Sequence, residues 1–195
     1  MDDMASRQGE IRLLLSGGDR RSIADSNRVR RLVEDDPSLV VDLVALTADA
    51  DWLVTQRALD LLEKMARAHP DWIAPYKKVF IGPLATSDKW EIRLQIVRAL
   101  PLFRWTPVQA RRVEEILLEN VRNPQTFVRA WALDALATLA QCRVTLMPIV
   151  RRHIRDFERS SSRALQARAK HIRARLHRPA RVGLRSRCPP HQRGN

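Results

Sequence analysis

Glycine is scarce in this chain, at 6 of 195 residues, and aromatic side chains make up only 5%. Strand-and-turn architectures draw on both, so an all-β fold is disfavoured. Cysteine is almost missing: Cys142 and Cys188 make no disulfide framework for a chain this long. Long uncharged apolar runs are missing too. The best candidate, 130–142, is interrupted by Asp134 and falls short of the roughly 18 residues a bilayer span needs. The N-terminal segment MDDMASRQGE has no apolar stretch of the kind a secretory signal carries. The expectation is a cytoplasmic protein in reducing surroundings. Lysine is short as well, 5 against 30 arginines, a bias that suits phosphate recognition and equally suits a base-composition effect.

What is present is apolar enough to fold. Hydrophobic residues are 45% and charged residues 29%, which excludes a chain disordered throughout. The length suits one ordinary domain or a short repeat array. The formal net charge is +13, and it is unevenly placed. Residues 1–150 hold 21 basic and 20 acidic side chains, whereas 151–195 hold 14 basic and 2 acidic. The basic character belongs to the last quarter. It invites an acidic protein or a nucleic acid as partner.

Helical periodicity dominates. Ile11, Leu14 and Leu15 predict a short first helix ended by Gly17-Gly18. Asp25-Ser26 offers a cap for a second, with Val29, Leu32 and Val33 on one face. Pro37 suits the first turn of a third, holding Leu39, Val40, Leu43, Val44 and Leu46. A unit then recurs. Val54 aligns with Ile92 and Val128, Ala58-Leu59 with Ile96-Val97 and Ala132-Leu133, and Leu61-Leu62 with Ala99-Leu100 and Ala135-Leu136. The offsets are 38 and then 36 residues. Each such helix is followed by a second one, predicted over 70–81, 107–121 and 144–157. A break precedes each; Thr106-Pro107 reads as a cap followed by proline at the first helical position.

Helix pairs recurring at this period are the signature of an α-solenoid. The pattern resembles HEAT repeats. The residues that carry the resemblance are the hydrophobic-arginine pairs Ile92-Arg93 and Val128-Arg129, the apolar pairs after them, and Pro37, Pro70 and Pro107 near the start of second helices. Thr55 departs from the pattern at the arginine position. The resemblance implies an all-α, right-handed solenoid of about four antiparallel helix pairs, with second helices lining a concave face. The expected organisation is a short helix and turn over 1–20, the repeats over 21–176, and a disordered basic tail over 177–195.

Three basic doublets recur in the second helices: Lys77-Lys78, Arg111-Arg112 and Arg151-Arg152. In register they would form a basic ridge along the concave face, although Glu114, Glu115 and Glu119 could neutralise the middle pair at helical spacing. The predicted last helix, 160–176, sets Leu165, Ala169, Ile172 and Leu176 in one stripe. Arg163, Lys170 and Arg173 lie opposite, with Arg168 and Arg175 flanking it. The five tryptophans, at 52, 72, 90, 105 and 131, read first as core and seam residues.

The expected function is a non-catalytic scaffold that holds a protein partner on its concave face, with the basic end adding attraction. Its expected contact residues are Lys77, Lys78, Arg111, Arg112, Arg151, Arg152, Arg163, Lys170 and Arg173. The alternative is nucleic-acid binding. Alkylpurine DNA glycosylases are similar in being built of HEAT-like repeats with Trp, Asp and Arg in a cleft, a composition that Trp52-Asp51, Trp90-Asp88 and Trp131-Asp134 echo without a diagnostic motif. No metal or cofactor is expected: His69, His153, His171, His177 and His191 are dispersed, and Gly17-Gly18 lacks the remainder of a phosphate loop. His153, beside Arg151-Arg152, reads as a surface residue.

Overall fold

Every regular element among the described residues is helical. The computed structural model describes residues 2–177, and side chains from residue 7 onward. Of the tail expected over 177–195, only His177 lies among them, and it closes the last helix. The chain divides into two compact units, with the division between Ile96 and Val97.

The first unit begins with α1 (Asp2–Leu15), α2 (Ser26–Asp35), α3 (Val40–Ala45) and α4 (Trp52–Ala68). Gly17 and Gly18 end α1 in the left-handed region, at φ 77° and 67°, where a side chain would be strained. The Asp25 carboxylate, expected to cap α2, makes no capping bond. Asp51 does cap α4, accepting from the Leu53 N–H at 2.9 Å. The loop after α1 is tied down by one side chain of α4. Arg57 is 2% exposed. Its Nη1 donates to the carbonyls of Leu15 at 2.6 Å and Gly17 at 2.8 Å. Its Nη2 donates to Asp19 O and Ser22 O, both at 3.0 Å, and its Nε also reaches Ser22 O, at 3.1 Å. A buried cation thus sits on the negative end of the α1 dipole, satisfied by carbonyls that have no helical partner.

The second helix predicted over 70–81 forms only in part. α5 (Pro70–Ile73) is a single turn, and a 3₁₀ run (Ala74–Ile81) and a further 3₁₀ turn (Pro83–Thr86) replace the rest. Pro75 has no N–H to offer the Asp71 carbonyl, and its ring crowds that carbonyl. The chain tightens to i→i+3 winding instead.

α6 (Trp90–Ala99) spans the division between the units. The second unit continues with α7 (Pro107–Asn120), α8 (Thr126–Ala140), α9 (Met147–Glu158) and α10 (Arg163–His177). Thr106 and Gln109 form a complete capping box at the start of α7. α8 packs against α7 and α9, and α10 packs against both α8 and α9.

The aligned slots of α4, α6 and α8 are all interior. Val54, Ile92 and Val128 are buried, and so are both members of each apolar pair that follows them. Burial of each large side chain contributes about 1.5–3 kcal/mol. The tryptophans serve structural contacts. Trp105 is buried, with Nε1–H donating to the Leu100 carbonyl at 2.9 Å. Trp72 stacks on His69 with centroids 3.9 Å apart. The Lys89 ammonium lies 5.7 Å from the Trp52 ring centre. The matched arginines do different work: Arg93 donates from Nε to the Ser87 carbonyl at 2.6 Å, whereas Arg129 lies 5.3 Å from the centre of the Phe157 ring.

Candidate functional site

α9 is amphipathic by sequence. Val150, His153, Ile154 and Phe157 repeat at helical spacing and are buried. His153 is therefore interior, not the surface residue its basic neighbours suggest. Its place one turn after Val150 and one turn before Phe157 turns it inward. Its Nε2 finds no hydrogen-bond partner among the described residues. Burial, reinforced by Arg152, pushes its pKa below the ordinary 6.5, while Asp156 opposes the shift.

α10 buries Leu165, Ala169 and Ile172, a stripe with few bulky groups. Charge supplements this thin apolar contact. Asp134 of α8 is buried and accepts from Arg175 at 2.9 Å and Arg168 at 3.4 Å. Arg175 also donates to the Asp134 carbonyl at 3.0 Å. The Arg168 guanidinium lies 4.0 Å from the centre of the Trp131 ring, and that of Arg98 lies 5.5 Å from it. Arg168 and Arg175, placed at the flanks of the stripe by sequence, are the residues that clasp α10 to α8.

The clasp sets α10 beside α9 and leaves a concavity of about 390 Å³ between them. Its apolar lining is Met147, Ile154 and Leu176. Its basic side chains come as two pairs, each one helical turn apart: Arg151 and Arg155 on α9, Arg173 and His177 on α10. Arg173 is neutralised by Glu158 at 2.6 Å. Arg151 and Arg155 are exposed and form no ion pair with any described residue. Like charges at this spacing cost a helix about 0.2–0.5 kcal/mol. Nothing described on the groove relieves that repulsion.

Of the sequence-predicted contact residues, the structure brings Arg151 and Arg173 together here. Arg152, Arg163 and Lys170 are exposed but do not line the groove. Arg111 is exposed, and Arg112 pairs with Glu115 at 3.3 Å, within its own helix. Lys77 is half-buried and Lys78 exposed, on the 3₁₀ run of the first unit. Arg155 and His177 were missed by the sequence reading. Each stands four residues after a chosen residue, so helical spacing held the signal once both helices were known to share a groove.

The acids that echo a glycosylase cleft are engaged in structure. Asp51 caps α4, the Asp88 carboxylate lies 3.4 Å from the Lys89 ammonium, and Asp134 holds two arginines. Among the described residues, no three His, Cys, Asp or Glu side chains gather where they could hold a metal ion. No helix among them is long and apolar enough to cross a membrane.

No protein-family model matches the chain, and no curated protein matches it in sequence. Solved structures match it in shape. One, described as an engineered protein, superposes with a TM-score of 0.58 at 19% identity, covering 91% of this chain and 77% of its own. A second engineered protein gives a TM-score of 0.58 at 21% identity, covering 90% of this chain and 80% of its own. At such identities the likeness speaks for the fold alone, and the fold it supports is all-α.

Proposed function

We propose that this chain is a non-catalytic scaffold, built of HEAT-like helix pairs in a right-handed solenoid, that holds a protein partner through a contact that includes its basic C-terminal end. The repeat reading is supported by buried slots recurring at offsets of 38 and 36 residues in α4, α6 and α8. The observation that carries the binding role is the pair Arg151 and Arg155, exposed and without a counter-charge among the described residues, beside an open apolar concavity. Solvated charge alone would need no concavity. An apolar concavity ringed by cations suits a ligand that is both acidic and apolar.

Nucleic-acid binding is the second reading, favoured by the number of exposed basic residues on α9 and α10, Arg151, Arg152, Arg155, Arg163 and Lys170 among them. Affinity capture with the full chain, with and without nuclease, separates the two. The scaffold reading expects a defined protein that stays bound after nuclease treatment and at about 150 mM salt. That protein, purified, should bind the purified chain directly. Recovery lost entirely to nuclease would leave the nucleic-acid reading in its place.

A further inference from the structure

The groove between α9 and α10 has a chemistry more specific than that of a basic surface. Met147, Ile154 and Leu176 give it an apolar lining, Arg151 and Arg155 of one wall and Arg173 of the other supply cationic groups, and His177 also lines it. Glu158 is already held by Arg173. Arg151 and Arg155 are left facing solvent with no partner among the described residues.

We propose that this groove takes an acidic segment of a partner protein, with one large apolar side chain seated against Met147, Ile154 and Leu176 and carboxylates on either side of it. The proposal rests on the scaffold reading and names the partner's chemistry. The volume, about 390 Å³, has room for an anchoring side chain and not for a whole helix. Arg151 and Arg155 stand about 6 Å apart along the helix axis, from four residues at 1.5 Å each. Two carboxylates one turn apart on a partner helix match that separation, and guanidinium groups accept carboxylates in a bidentate fork. The chain's own residues 178–195 carry five arginines and no acid, so their charge has the wrong sign to fill the groove. A nucleic-acid backbone would satisfy the arginines but would leave the apolar lining without a use.

The test is selection of a phage-displayed random peptide library on the full chain. Selected peptides are then made synthetically and titrated by fluorescence anisotropy, beside a duplex DNA of arbitrary sequence. Enriched peptides should carry a large apolar residue flanked by Asp or Glu. The double variant Arg151→Glu/Arg155→Glu should weaken them at least roughly tenfold. The milder Arg151→Gln/Arg155→Gln should weaken them severalfold. Arg152→Glu, one residue away and outside the groove, should change affinity by less than about twofold. Replacing the peptide's apolar anchor by alanine should also cost roughly tenfold. All these arginines are exposed, so an unchanged thermal transition is expected and certifies folding. Acidic peptides that bind with no sensitivity to Arg151 and Arg155 would overturn the groove and leave the scaffold reading standing. Enrichment of neutral or basic peptides would do the same. No enriched peptide, with duplex binding lost in the double variant, would overturn both.

Discussion

Replacing Arg57 by alanine removes five hydrogen bonds to the four carbonyls that shape the turn after α1. Hydrogen bonds from a charged donor are worth about 1.5–3 kcal/mol each, but the terms do not add. Gly17, Asp19 and Ser22 sit near the surface, and their carbonyls recover water once the loop loosens. Leu15 is fully buried and its carbonyl does not. The cost of desolvating the guanidinium is also returned when it is deleted. A net loss of about 3–4 kcal/mol follows, or about 6–16 °C in Tm for a chain of this size. Arg57→Lys keeps the charge but cannot reach all four carbonyls from one ammonium, so it should lose about half as much. The partners are neutral, so the loss should barely change between low and high salt. Urea denaturation followed by circular dichroism measures the magnitude, and hydrogen exchange locates it. Amides in 16–25 should exchange faster, while those of α7 and α8 hold. A loss below about 1 kcal/mol, or a lysine variant as stable as wild type, would refute the idea that Arg57 pins this turn.

Three further outcomes are expected. Asp134→Asn should cost about 2–3 kcal/mol, because it strips the counter-charge from Arg168 and Arg175; unlike the Arg57 loss, it should shrink in high salt, and α10 amides should exchange fastest. His153 is held below its ordinary pKa of 6.5 by burial, so the unfolded chain takes up its proton first as pH falls. Stability should therefore decline as pH drops through 6.5 and stop declining below the lowered folded value; urea titrations should show that slope component vanish in His153→Leu. Leu136→Asp buries an unpaired charge in a fully enclosed slot and should cost at least about 4 kcal/mol, which a far-ultraviolet circular dichroism melt would reveal; an unchanged transition would break the repeat alignment.

The helices of the second unit were legible from their apolar spacing, and α7 from its cap as well. Thr106-Pro107 marks a helix start in sequence and makes a full capping box in space. The 70–81 segment is helical over the expected bounds, but it winds as an α-helix only for its first turn. Apolar spacing there suits a 3₁₀ run almost as well as an α-helix, and only the missing N–H separates the two. His153 was misread from its charged neighbours, when its spacing from Val150 and Phe157 carried the information. The groove was half legible. Arg151 and Arg173 stood out as cations on predicted helices, but Arg155 and His177 acquire meaning only once α9 and α10 lie side by side. Arg57 gave a weak signal, an arginine with Leu53, Val54 and Leu61 one turn away on its helix.

The clasp at Asp134 makes the last helix's seat a competition for anions. One carboxylate holds two guanidinium groups on the most positive stretch of the chain. A dilute acidic ligand meets the free arginines of the groove first. In large excess it also contends with Asp134 for Arg168 and Arg175, and so for the attachment of one wall of the proposed site. Titrations with strongly acidic ligands should then rise, reach a maximum and turn over, with the turning point moving to higher ligand concentration as the ligand's charge is reduced.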